Sequence, residues 1–151
     1  MASFEPKDPN FEGRVRASFA RQTAMATLGI SIVSLKAGEI EFDMPYVVAY
    51  TQQHGFIHAG IITTALDSAC GYAAFSLMPE GAEVLTVEFK TNLIAPAKGD
   101  HFRFHACVLK PGRTITVCEA KAFAVDGENR KLVATMTGTL MALFDRKALT
   151  P

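Results

Sequence analysis

From Met44 to Pro79 the chain reads MPYVVAYTQQHGFIHAGIITTALDSACGYAAFSLMP, and Asp67 is the one formally charged side chain in that run. His54 and His58 stand shortly before it. A carboxylate in so apolar a stretch is costly unless something compensates it. No Lys or Arg lies within a helical turn of Asp67. Two readings remain. The group is tied structurally to a Thr hydroxyl or a distant basic residue, or it is kept to take a proton or attack an electrophile.

The residues upstream favour chemistry. Gln52, Gln53, His54 and Gly55 lead to His58-Ala59-Gly60, where a long helix is expected to begin. The first N–H groups of a helix have no internal partner and sit at the positive end of its dipole. A carbonyl oxygen placed there is polarised and an oxyanion stabilised. Ala59 and Gly60 are small enough to let a ligand approach. The segment therefore offers an electrophile activator at its mouth and a carboxylate two turns further on.

Two other chemistries use the same residues. His54 and His58, four apart, with Asp67 as a third ligand, would suit a metal. Gly55 and the loop character upstream break the single helical face this needs, and HExxH is absent, so no metal and no other cofactor is expected. A Cys70–His58 nucleophilic pair would have to span twelve helical residues, about 18 Å.

The elements that position these residues follow from pattern. Asn10 is placed to cap a helix running to about Thr27, with Phe11, Val15 and Phe19 as its apolar stripe and Gly29 at its exit. GISIVSLKAGEIEFDMPY reads as two strands around a turn at Lys36-Ala37-Gly38. Residues 46–57 form a loop, and 58–77 a helix stopped by Pro79 and Gly81. On that helix Ile61, Ile62, Ala65, Leu66, Ala69 and Ala73 share one face. Asp67 points the other way, among Gly60, Thr63, Thr64, Cys70, Gly71 and Ala74. Beyond it, Leu85, Val87, Phe89 and Leu93 alternate with Thr86, Glu88, Lys90 and Asn92 as a half-buried strand. HFRFHACVLK, RTITVCEAKAFAV and KLVATMTGTLMALF, separated by Pro111-Gly112 and DGEN, give three further strands in an antiparallel meander. The result is an α+β chain, with a curved antiparallel sheet of about six strands around one long helix.

Composition sets the bounds. A chain of 151 residues is the size of one domain, and 49% hydrophobic with 20% charged residues is ordinary globular material. Fifteen basic and fifteen acidic residues cancel, which argues against a general nucleic-acid binder and leaves self-association unopposed. The start, MASFEPKDP, lacks the basic and apolar runs of a signal peptide. Cys70, Cys107 and Cys118 are odd in number, with no CxxC, and read as reduced thiols of a cytoplasmic protein. A membrane span over 55–78 is disfavoured by Asp67 at its centre.

QQHGFIHAGIITTALD resembles the motif of the hotdog-fold thioesterases of the phenylacetate-degradation (PaaI-like) type. That motif has Asn or Gln, then Gly, then His-Gly-Gly, then Asp or Glu nine residues after the His. Gln52, Gly55, His58 and Asp67 fall on those positions. VLTVEFKTNLIAPAKGD and KPGRTITVCEAKAF resemble the family's strands, so the likeness runs from about residue 25 to 145. It implies a single hotdog domain over 1–151, with residues 1 to about 28 as a helical extension, and hydrolysis of acyl-CoA thioesters.

The resemblance also implies roles. Asp67 is the general base or nucleophile, and the Ala59 N–H, beside Gly60, polarises the thioester carbonyl. Gln52 orients substrate or water, and His58 shapes the site near the sulfur. Ala59 replaces the family's Gly but keeps the N–H. Relatives hold the water with a hydroxyl either one turn after the carboxylate, where this chain has Gly71, or on the following strand, where it has Thr86. Gly55 belongs to the substrate-binding loop. Lys90, Lys98, Lys110 and Arg113 are the candidate partners of the CoA phosphates. Other readings are a non-catalytic acyl-CoA binder and a hotdog hydratase or dehydratase, although the dehydratase HFPGxPxxPG phrase is missing. His58 and Asp67 lie on opposite faces of a helix about 13.5 Å apart along its axis. The site is therefore expected to be shared between the protomers of a homodimer or homotetramer.

Overall fold

The computed structural model describes residues 4–144. The ends of the single domain expected over 1–151, including the first three residues of the start MASFEPKDP, lie outside them. Helix α1 covers Phe11–Arg21 and α2 Thr23–Thr27. Strands β1 (Ser31–Lys36) and β2 (Glu39–Pro45) form the expected hairpin, with Gly38 at φ +79° in its turn. Helix α3 covers Ala59–Phe75. It is followed by β3 (Glu83–Leu93), β4 (His101–Lys110), β5 (Ile115–Asp126) and β6 (Asn129–Leu143). All six strands form one antiparallel sheet in the order β1-β2-β4-β5-β6-β3. Strands β4 to β6 are the expected meander, while β3 crosses to the far edge and pairs with β6 alone.

The sheet wraps α3 because of what each strand turns inward. Ile40, Phe42 and Met44 of β2, and Phe102, Phe104 and Ala106 of β4, are wholly buried. β5 contributes Cys118, Ala120, Ala122 and Ala124. Those small side chains let α3 approach closely through its own Ala65, Ala69 and Ala73. A Cβ added to Gly138 of β6 would stand 3.6 Å from the Cys70 Cβ. Cys70 and Ala74, among the small residues of Asp67's side of α3, are buried. The opposite face of the sheet is charged and paired. Asp43 binds His101 and Arg103, Glu39 binds His105, and Glu41 binds Arg130.

The N-terminal extension departs from the sequence reading. The single helix to Thr27 is broken at Gln22, whose ψ of 93° is extended. Asn10 stands at the N-cap position but its side chain makes no cap bond. Instead its N–H donates to Asp8 Oδ1 at 2.8 Å, and Arg14 Nε donates to Asp8 Oδ2 at 2.8 Å. Arg14 also donates through Nη2 to the carbonyls of Met78 (2.6 Å) and Phe75 (3.3 Å), and its guanidinium lies 4.2 Å from the Phe75 ring centre. A cation at the end of α3 complements its dipole and fastens the extension to it.

The Arg14 hydrogen bond, then the Asn10 amide, hold the Asp8 pKa below its ordinary value of 3.8. A carboxyl with a depressed folded-state pKa stabilises the fold above its unfolded value, and that contribution is lost as the pH falls through the folded one. Asp8→Asn is expected to lower Tm at neutral pH. The gap to the wild type should close as the pH is taken below 3.8. A gap independent of pH, measured by calorimetry, would show that the charge of Asp8 is not what matters.

Candidate active site

The loop between β2 and α3 is held at several points. Tyr46 Oη donates to the Gly55 carbonyl (2.9 Å), Tyr50 Oη donates to the Thr27 carbonyl (2.6 Å), and the Ile57 N–H donates to the Ala97 carbonyl (2.9 Å). Gly55 has φ +81°, a conformation that side-chain-bearing residues rarely adopt, so the motif glycine is required by the turn. The Gln52 side chain folds back inside the loop and accepts from the His54 N–H.

His58 caps α3. Its Nδ1 accepts the Gly60 N–H at 2.9 Å, and its carbonyl accepts the N–H groups of Ile61 and Ile62. Among the described residues the Ala59 N–H has no such partner. The sequence expectation placed His58 near the scissile sulfur; the geometry also gives it a local task, fixing the first turn of α3. Gln52 and Ala59 both line an apolar cavity of about 480 Å³ at this end of the helix, with Phe56, Ile62 and Leu93 among its walls.

Asp67 lies two turns on. It is half-buried rather than enclosed, and its Oδ1 accepts a 2.7 Å hydrogen bond from Thr86 Oγ1 of β3. This was not expected from simple alternation, which put Thr86 on the face away from the core. A register shift between Thr86 and Glu88 explains it. Thr86 pairs with Leu140, Phe89 with Gly138, Thr91 with Met136 and Leu93 with Ala134. These β6 residues alternate on the face toward α3. The extra residue at Val87 thus puts Thr86 and Phe89 on one side, where an unbroken strand would separate them. Lys90 pairs with Thr137 on the other face, and donates to Asn92 there.

A second cavity, about 230 Å³, surrounds Asp67 and is lined by Thr86, Ser68, Gly71, Tyr72, and Ser18 and Gln22 of the extension. Sequence reading missed the last two and also Tyr72. Nothing local marks Gln22, since only the fold brings it within 3.2 Å of Ser68 Oγ. Lys90, Lys110 and Arg113 line neither cavity. Lys110 ends β4, and Arg113, in the turn that follows, borders a separate cleft at the C-terminal end of α3.

Other chemistries gain no support. Among the described residues no group of three His, Cys, Asp or Glu is placed to hold a metal ion. Burial pushes the Cys118 thiol up to about 12 and the Cys70 thiol higher still. No helix among the described residues is long and apolar enough to cross a membrane.

A curved antiparallel sheet of six strands around one long helix defines the hotdog class. The family model of the thioesterase superfamily matches residues 54–131, and the chain belongs to that superfamily. A solved structure of a thioesterase family protein from Silicibacter pomeroyi superposes with a TM-score of 0.88 at 59% identity, across 89% of this chain and 99% of that one. The E. coli PaaI protein from the phenylacetic acid degradation operon shares the fold with a TM-score of 0.79 at 21% identity, across 89% of this chain and 94% of that one. A curated protein of Saccharolobus solfataricus, named as an esterase, is 30% identical over 101 residues, 67% of this chain and 71% of that one. Thioester hydrolysis is the general activity these relationships support.

The raised thiol values give a direct check. Iodoacetamide at neutral pH is expected to leave Cys70 and Cys118 unmodified and the hydrolytic rate unchanged, because only a thiolate reacts. Rapid alkylation of Cys70 with loss of activity, read by mass spectrometry and assay, would put a thiol in the chemistry.

Proposed function

We propose that the protein hydrolyses acyl-CoA thioesters to the free acid and CoA. The observation that carries this reading is Asp67, held by Thr86 at the edge of a cavity and without a cationic partner among the described residues. Asp67 acts as general base on water, or as nucleophile. As base it takes a proton from water as the oxygen adds to the thioester carbonyl, and the tetrahedral intermediate expels the CoA thiolate. The Thr86 hydroxyl fixes the carboxylate orientation. The Ala59 N–H stabilises the oxyanion. Gln52 orients substrate, and Gly55, Ala59 and Gly60 leave room for it.

Ala59 and Asp67 lie about 12 Å apart along one helix, too far to serve one carbonyl. The reading therefore requires two chains, with the Asp67 of one protomer facing the Ala59 of its partner. Strand β3 supports this. It is an edge strand with its outer side unpaired, and its Leu85, Val87 and Phe89 are 43–54% exposed. A free edge of eleven residues that carries exposed apolar side chains is a pairing surface. Two β3 edges joined across a two-fold axis would cover those side chains and bring the helices together. Lys90, Lys110 and Arg113 are the proposed partners of the CoA phosphates, Arg113 through a bidentate contact. Acyl-CoA is an intracellular substrate, and a cytoplasmic location accompanies this reading.

The test is release of free thiol from a panel of acyl-CoAs. Substrate-dependent release is expected. Tight binding without release would indicate a binder, and a change in enoyl-CoA absorbance without release would indicate a hydratase.

A further inference from the structure

The turn that carries Gln52 is closed from within. The Gly55 N–H donates to the Gln52 carbonyl at 3.0 Å, the Gln52 N–H donates to the Phe56 carbonyl at 2.9 Å, and the His54 N–H donates to the Gln52 carboxamide oxygen. A backbone N–H can only donate, so the last of these bonds fixes which end of the amide is which. The Gln52 NH2 is the end left over, without a partner among the described residues, at the cavity that Gln52 and Ala59 line together. From outside residues 52–56, one hydrogen bond reaches the turn among the described residues: Tyr46 Oη donates to the Gly55 carbonyl at 2.9 Å. Its donor stands on firm ground. Tyr46 directly follows β2, its N–H donates to the Asp100 carbonyl at 3.2 Å, and its ring packs against the core.

We propose that Tyr46 is a positioning residue for the thioester reaction: its hydroxyl sets where the Gln52 amide stands at the Ala59 end of the site. The inference rests on the thioesterase reading above. Ala59 does not depend on Tyr46. It belongs to α3, whose first turn is fixed by the His58 cap and by the His58 N–H donating to the Tyr50 carbonyl at 2.9 Å. Gln52 belongs to a turn that the Tyr46 phenol alone ties to the sheet by a hydrogen bond of its own, among the described residues. Gly55 is half-buried, so water can replace the donor when the hydroxyl is removed, and stability changes little. What is lost is the placement of the amide relative to the Ala59 N–H. A misplaced group costs rate out of proportion to the bond that placed it.

The experiment begins with Tyr46→Phe, which deletes the hydroxyl and keeps the ring. With the best substrate of the acyl-CoA panel, kcat is expected to fall roughly tenfold while KM stays within about twofold. The same substitution is then made in a Gln52→Ala chain. With the amide gone, loss of its tether should cost less than about twofold. A merely structural effect would lower the rate by the same factor in both backgrounds. Hydrogen exchange gives a readout that needs no activity: amides of residues 52–56 should exchange faster in Tyr46→Phe, while those of residues 61–66 keep their protection. Tyr46→Met keeps apolar bulk without a donor and carries the test if the phenylalanine variant does not fold. An unchanged kcat, an equal loss in both backgrounds, or unchanged exchange at 52–56 overturns the role of Tyr46 alone. Absence of hydrolysis by the wild type across the whole panel overturns the thioesterase reading and the Tyr46 role together.

Discussion

Asp67→Asn is expected to lower kcat/KM for thioester hydrolysis by about 10²–10⁴-fold while leaving the fold intact. The amide has nearly the shape of the carboxylate and can still accept the Thr86 hydroxyl. It cannot take a proton from water, and it attacks a carbonyl poorly. A half-buried position leaves little packing for the change to disturb, so Tm should move only slightly. A rate near that of the wild type, with the variant shown to be folded, would remove Asp67 from the chemistry.

That carboxylate was legible because its surroundings are so apolar, and the first turn of α3 because His58-Ala59-Gly60 follows a loop of polar and small residues. Most strands were legible too. Their period-two patterns end at Gly38, at Pro111-Gly112 and at DGEN. The place of β3 was not, because pairing with β6 rather than β4 is a long-range choice that no local pattern records. Nor was the face of Thr86. A period-two reading assumes one residue per position, and the extra residue at Val87 reverses the sense of everything beyond it. The break at Gln22 was hidden for a different reason. Gln is a good helix former, and its extended conformation accompanies a side-chain contact with Ser68 that only the tertiary fold supplies. Asn10 looked like a cap by type, yet Asp8 takes its amide and leaves its side chain without that role.

The second large effect concerns the β3 edge. Val87 and Phe89 are 54% and 43% exposed in the single chain, so a double Val87→Asp, Phe89→Asp variant should keep the fold of each protomer. Across a two-fold axis each chain would bring the same charges to one seam, where like charges facing each other destabilise a strand pair. The variant is expected to sediment as a monomer with an unchanged circular dichroism spectrum. Its activity should fall to the level of Asp67→Asn, because neither cavity of one chain holds both Asp67 and Ala59. A monomer with undiminished activity would show that one chain suffices. A variant that stays dimeric would show that the protomers meet elsewhere.

The central claim is that Asp67 and Thr86 of one chain act on a thioester whose carbonyl is held by the Ala59 end of another. Complementation tests it most directly. Chains carrying Asp67→Asn are mixed with chains crippled at Gln52 and His58, under conditions where subunits exchange, and hydrolysis is followed against each variant alone. Random pairing makes about half the dimers mixed; each mixed dimer has one site with every lesion and one with none. Activity recovering toward about a quarter of the wild-type value is the predicted result. A mixture no more active than its components, with exchange confirmed, would place the whole site within one chain and contradict the account.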